Sequence, residues 1–167
     1  MPSYAANPVK GKIQWYFEQA RDTAAELGAL LLVSAGIQSA DQLQDYGDIA
    51  ALLAASNDEA NFANYTRKTL PNGLVTVDAV GNRVLLGVTG TPPVTITWPN
   101  AGTVGGPLAV GQNNQIAAIV YYYDPAPGSS TNAQLVHLGF ADVNATTDGS
   151  ELVFTLGADG LFRVRNP

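Results

Sequence analysis

Ile116-Ala117-Ala118-Ile119-Val120-Tyr121-Tyr122-Tyr123, closed by Asp124-Pro125, is the stretch whose reading decides the fold. A short apolar run with β-branched and aromatic residues, stopped by a proline turn, reads as a strand. Side chains alternate between the two faces of a strand, so unbroken apolarity means cover on both sides, as in a central strand. At most two of the three tyrosines share a face, and core packing plus an interface contact accounts for them.

Strand and turn alternate to either side of this run. Downstream, residues 134–141 read as a strand, and residues 152–156 and 161–164 read as a tight terminal hairpin joined by Gly157-Ala158-Asp159-Gly160. Upstream, residues 65–70 and 74–77 flank the turn Pro71-Asn72-Gly73, where Asn-Gly is expected to supply positive φ. Gly81-Asn82 precedes a strand over 83–88, and residues 94–98 lie between prolines, which suits a short or edge strand. Nearer the N-terminus, Lys12-Ile13-Gln14-Trp15-Tyr16-Phe17 alternates, which predicts a strand with Ile13, Trp15 and Phe17 on one face. Residues 29–33 read as a buried strand, with helix as the open alternative.

One helix is expected at about 39–55. Ser39 can cap it, Asp41 complements its dipole, and Leu43, Tyr46, Ile49 or Ala50, and Leu53 form an apolar stripe, with Ser56-Asn57-Asp58 as the break. The fold class that follows is mainly β: an antiparallel β-sandwich or jelly-roll-like barrel with one inserted helix. Residues 10–167 make a single domain. Residues 1–9, with two prolines and little to bury, read as a flexible arm ordered by a partner or as a frayed end.

Charged residues are only 13% of the chain against 46% hydrophobic, so much of the exterior is neutral polar or small, which suits packing against neighbours. The formal charge is −6, and neither Lys nor Arg occurs between Arg83 and Arg163. Phosphate neutralisation needs clustered cations, and the pair Arg67-Lys68 is too small a cluster, so nucleic acid and anionic membranes are disfavoured as partners. The longest apolar run is too short to span a bilayer, and the first residues lack the pattern of a secretory signal, so a soluble protein made in a cytoplasm is expected.

Catalytic signatures are hard to find. There is no cysteine, and the lone histidine, His137, sits among Leu135, Val136 and Leu138 as a structural strand residue would. Phosphate-loop, dinucleotide and Gly-x-Ser-x-Gly patterns do not occur. Asp142, Asn144, Asp148 and Glu151 offer oxygen ligands, but Val153 stands where a helical calcium loop needs glutamate, so a turn at Asp148-Gly149 is the favoured reading. No enzymatic role and no cofactor are expected. Residues 100–114, rich in Gly and polar residues, read as a partner-contact loop, with a merely flexible loop as the alternative. The contact candidates are Tyr4, Asn7 and Pro8 in the arm, Thr103, Val104, Leu108 and Val110 in the loop, and Trp98 just before it.

The order of several short motifs resembles a family of small virion structural proteins of tailed bacteriophages. They are Gly11-Lys12-Ile13-Gln14-Trp15-Tyr16, Asp45-Tyr46-Gly47-Asp48-Ile49-Ala50-Ala51-Leu52-Leu53-Ala54, Tyr65-Thr66-Arg67-Lys68-Thr69-Leu70, Val75-Thr76-Val77-Asp78, Asn82-Arg83-Val84, Thr97-Trp98, Ala117 to Asp124-Pro125, Thr147-Asp148-Gly149-Ser150 and Gly160-Leu161-Phe162-Arg163. The resemblance covers most of the chain from Lys10 onward. It implies a non-enzymatic virion component present in many copies and leaves head or tail open; the leading expectation is a capsid decoration or cement protein on the outside of a shell of major capsid protein, acting as a homo-oligomer such as a trimer. A tail, fibre or head–tail connecting part is the alternative on the same particle. A carbohydrate-binding module using Trp98 and the tyrosines is the alternative of another class.

Overall fold

The computed structural model describes residues 3–78, 83–88, 94–156 and 161–165. The chain is mainly β. Its strands are β1 (Ser3–Ala5), β2 (Glu26–Val33), β3 (Lys68–Leu70), β4 (Gly73–Asp78), β5 (Arg83–Val88), β6 (Thr95–Trp98), β7 (Gln115–Asp124), β8 (Val136–Thr146), β9 (Leu152–Thr155) and β10 (Phe162–Arg165). The helices are α1 (Ile13–Asp22), α2 (Ala40–Leu43) and α3 (Ile49–Ala54). Pairing is antiparallel throughout, in a five-stranded sheet β1-β8-β7-β2-β3, a three-stranded sheet β10-β5-β4 and a ribbon β6-β9.

The central run behaves as its composition requires. β7 lies in the middle of the large sheet, and its alternating side chains enter two cores. Ile119, Tyr121 and Tyr123 pack with Leu27, Leu31, Phe17, Leu86, Trp98 and Phe154, so α1 and the two smaller sheets cover that face. Ala118, Val120 and Tyr122 pack with Leu30, Leu32, Phe140, Leu43, Ile49 and Leu52, so α2 and α3 cover the other. A sheet buried on both faces needs continuous apolar strands, and β2 supplies the second one.

Several local expectations change. Residues 12–17 open helix α1 instead of a strand. Ile13, Phe17 and Ala20, spaced four and three, are buried, whereas Trp15 turns outward. The helix expected over 39–55 is two short helices. Ser39 begins the first with a complete capping box, and Asp48 begins the second by accepting from the Ala51 amide at 2.8 Å. Between them, Gly47 carbonyl accepts the His137 amide and the Ile49 amide donates to Leu135 carbonyl, so the backbone bonds to β8 and its approach. Ser56, at φ 67°, breaks the second helix as expected.

The terminal hairpin does not form: β9 pairs with β6, and β10 with β5. Nor is Asn72-Gly73 a hairpin turn, since β3 and β4 belong to different sheets. Gly73 is needed for another reason, because a Cβ there would lie 2.3 Å from the Phe17 carbonyl oxygen. Residues 3–9, expected as a flexible arm, are folded onto the domain: β1 pairs with residues 139–141, and Ala6 and Val9 are buried. The turns expected at Gly81-Asn82 and Gly157 to Gly160 lie outside the described residues.

Candidate functional site

Residues 100–114 leave β6 and return to β7, and their conformation is built around one side chain. Asn113 is buried, its Oδ1 accepts the Thr103 amide at 2.8 Å, and its Nδ2 donates to the carbonyls of Thr103 and Gly106 at 2.8 and 2.7 Å. Gly102, at φ 96°, passes so close that a Cβ would lie 2.0 Å from Asn113 Oδ1. The loop is also stitched to two neighbours. Gly102 and Gly111 amides donate to Ala63 and Asn61, the Asn114 amide donates to Thr147 Oγ1, and the Ala101 amide donates to Ser150. A loop with its polar backbone bonded at this density is a shaped surface.

What that surface presents is apolar. Val104 is 84% exposed, Leu108 62% and Val110 83%, and Thr103 is exposed beside them. Each aliphatic group forgoes about 1.5–3 kcal/mol of burial until something covers it. An open groove of about 610 Å³ runs below Leu108 and Val110, with Val33, Asp58 and Asn61 on its walls. Asp148 flanks the loop on the other side through the adjacent turn, where Gly149 approaches Val104. Two hydrogen bonds from Ser150 hold the Asp148 carboxyl below the usual carboxylate range.

The N-terminal candidates do not join the loop. Tyr4 stacks on Phe140 at 5.1 Å, and the exposed Asn7 donates to Asp45 at 2.6 Å, with Pro8 next to Gly47. Ala5 pairs with Gly139, which is opposite Tyr121, whereas the loop meets β7 at Gln115. The two sets of candidates thus lie toward opposite ends of the central strands, about 20 Å apart at the rise of a strand.

Trp98 is a correction. It is fully buried, its indole N–H donates to Thr66 carbonyl at 2.7 Å, and Lys68 lies over its ring at 5.6 Å. The three tyrosines are buried as well, so neither they nor Trp98 form a surface platform. The exposed tryptophan is Trp15, 49% accessible, with its ring 5.1 Å from Tyr16 and 6.4 Å from Tyr123. The strand reading of 12–17 hid it by placing it on the inner face; helical spacing from Ile13 to Phe17 to Ala20 is the signal that finds it.

His137, Arg67, Glu59 and Tyr65 are committed to structure. His137 is buried, its Nδ1 meets the Tyr46 carbonyl at 3.1 Å and its Nε2 has no partner, and burial pushes its pKa down to about 4. Arg67 grips Glu59 with two bonds of 2.7 and 2.6 Å, which raise its pKa, and reaches Asn132 at 2.8 Å. Tyr65 donates to the same Glu59 and accepts the Leu31 amide, and burial raises its pKa. This cluster lies at the edge of β2 beyond the residues paired with β3 and ties Arg67 to Glu59 and Asn132. Among the described residues, no group of three or more His, Cys, Asp or Glu is arranged to hold a metal ion. Compared with known proteins, the chain matches no family model, no curated protein and no solved structure.

Proposed function

We propose that this protein is a structural component of a tailed-phage particle, and specifically a decoration protein that binds the outer surface of a major capsid protein shell as a homo-oligomer. The observation that carries an assembly role is the hydrogen-bonded loop that exposes Val104, Leu108 and Val110. A rigid apolar surface binds with little ordering cost, whereas a mobile one loses free energy when it is immobilised. The order of motifs from Gly11 to Arg163 supports the particle, and the low charge content supports close packing among many copies. Repeated modest interfaces then sum to mechanical stability through multivalency.

The arm contributes differently from a free tether, because Ala6 and Val9 belong to the core. Deleting residues 1–9 would therefore test folding more than binding. The cleaner experiment incubates the purified chain with undecorated shells, sediments them, and images the native particle. Saturable co-sedimentation with hundreds of copies on the shell is the expected result. A handful of copies at the tail would move the protein there, and absence from the particle together with no co-sedimentation would end the reading.

A further inference from the structure

Five large apolar side chains are exposed among the described residues, and four of them gather at two places. Leu108 and Val110 stand by Gln115, Val104 stands on the same loop against Gly149, and Trp15 stands beside Tyr123, with Val153 on β9 the fifth. From Gln115 to Tyr123 the strand advances about 26 Å, so the two features sit at opposite ends of β7 and one copy does not fill its own groove. The Trp15 groove has Gly11, Lys12, Gln14, Tyr16 and Glu18 as its other walls.

We propose that the loop bearing Val104, Leu108 and Val110 seats against Trp15 on a second copy of this chain, in a head-to-tail contact. Joining two different patches makes the interface heterologous, so it closes into a ring or continues as a chain of subunits. A half-exposed indole is the kind of side chain that forms the energetic centre of an interface, and aliphatic groups packed around it exclude water. Charge points to the same contact. A chain of net charge −6 repels its copies, but no charged residue occurs from Val84 to Tyr123. Lys12 and Glu18 both line the groove and Glu26 pairs with Asp124 at the same strand end, while Asp58 and Asp148 flank the loop, so Lys12 is the cation of the groove wall that an acidic flank of the loop can meet. Glu18, the groove's acid, is bonded by Gln14 at 2.9 Å.

This inference deepens the self-association within the proposed function and does not depend on the particle. Its test mixes two variants, Val104→Ser/Leu108→Ser/Val110→Ser and Trp15→Ala, each first shown to fold by circular dichroism and thermal melting. By analytical ultracentrifugation, the wild type should associate and each variant alone should do so at least about tenfold more weakly. Their equimolar mixture should regain a dimer, because one intact loop and one intact groove remain, and should grow no further. Lys12→Glu, which leaves the core untouched, should weaken association at low salt. A monomeric wild type, a variant that associates as well as wild type, or a mixture that stays monomeric overturns the proposal. Shells still decorated after such a failure would leave the particle reading intact.

Discussion

At the scale of single residues, two buried polar side chains carry opposite consequences. His137 is held neutral by burial, with a folded pKa of about 4 against an ordinary value of 6.5. The unfolded chain therefore binds the extra proton first, so this residue's stabilising effect is complete above pH 6.5 and is lost as pH falls toward 4. The loss amounts to about 3 kcal/mol at most. Urea midpoints at pH 7 and pH 4.5 should differ less in His137→Gln than in the wild type, since an amide can still donate to Tyr46 without gaining charge. Equal differences would show that the imidazole is not the sensor. Asn113 has the reverse character, with three bonds directed at its own loop and a longer one accepted from the Thr147 hydroxyl. Asn113→Ala strands buried backbone groups and should cost about 2 kcal/mol or more by chemical denaturation. Amide hydrogen exchange at residues 103–112 should accelerate at the same time.

At the scale of elements, the junction between α1 and β4 shows how a glycine can be dictated by a neighbour. Gly73→Ala places a Cβ 2.3 Å from the Phe17 carbonyl oxygen, backbone against backbone, and should destabilise by about 2 kcal/mol or more. Gly11→Ala, with nothing within 4 Å of the added atom, should change stability by no more than about 0.5 kcal/mol in the same melting assay. These elements also show where the sequence is readable. β7 and β2 announce themselves because burial on both faces leaves no polar positions, and Ser39 announces a helix because capping is a contact three residues long. Ile13, Trp15 and Phe17 satisfy a strand period and Ile13 to Phe17 a helical one; Ala20, in the next turn, decides. Partner choice for β9 and β10 is set by the two packed layers and leaves no local mark. The same holds for the site. The composition of residues 100–114 marks a loop, but the prolines around residues 94–98 say nothing about Trp98 pointing inward.

At the scale of the whole molecule, acidic charge and apolar poles set a balance that concentration reveals. None of the described helices is long and apolar enough to cross a membrane, and the exposed large apolar groups among the described residues are few. If copies join through the loop and Trp15, the native state is stabilised by mass action while the unfolded chain is not. Each tenfold rise in protein concentration above the dissociation constant should then add on the order of 1 kcal/mol to apparent stability. Calorimetric melting across about a hundredfold concentration range should show the wild-type Tm climbing, and the triple-serine loop variant should keep a constant Tm. A constant Tm in both would mean that the poles stay uncovered in the isolated protein. The apolar loop would then be reserved for the shell, with decoration depending on contacts between subunit and shell alone.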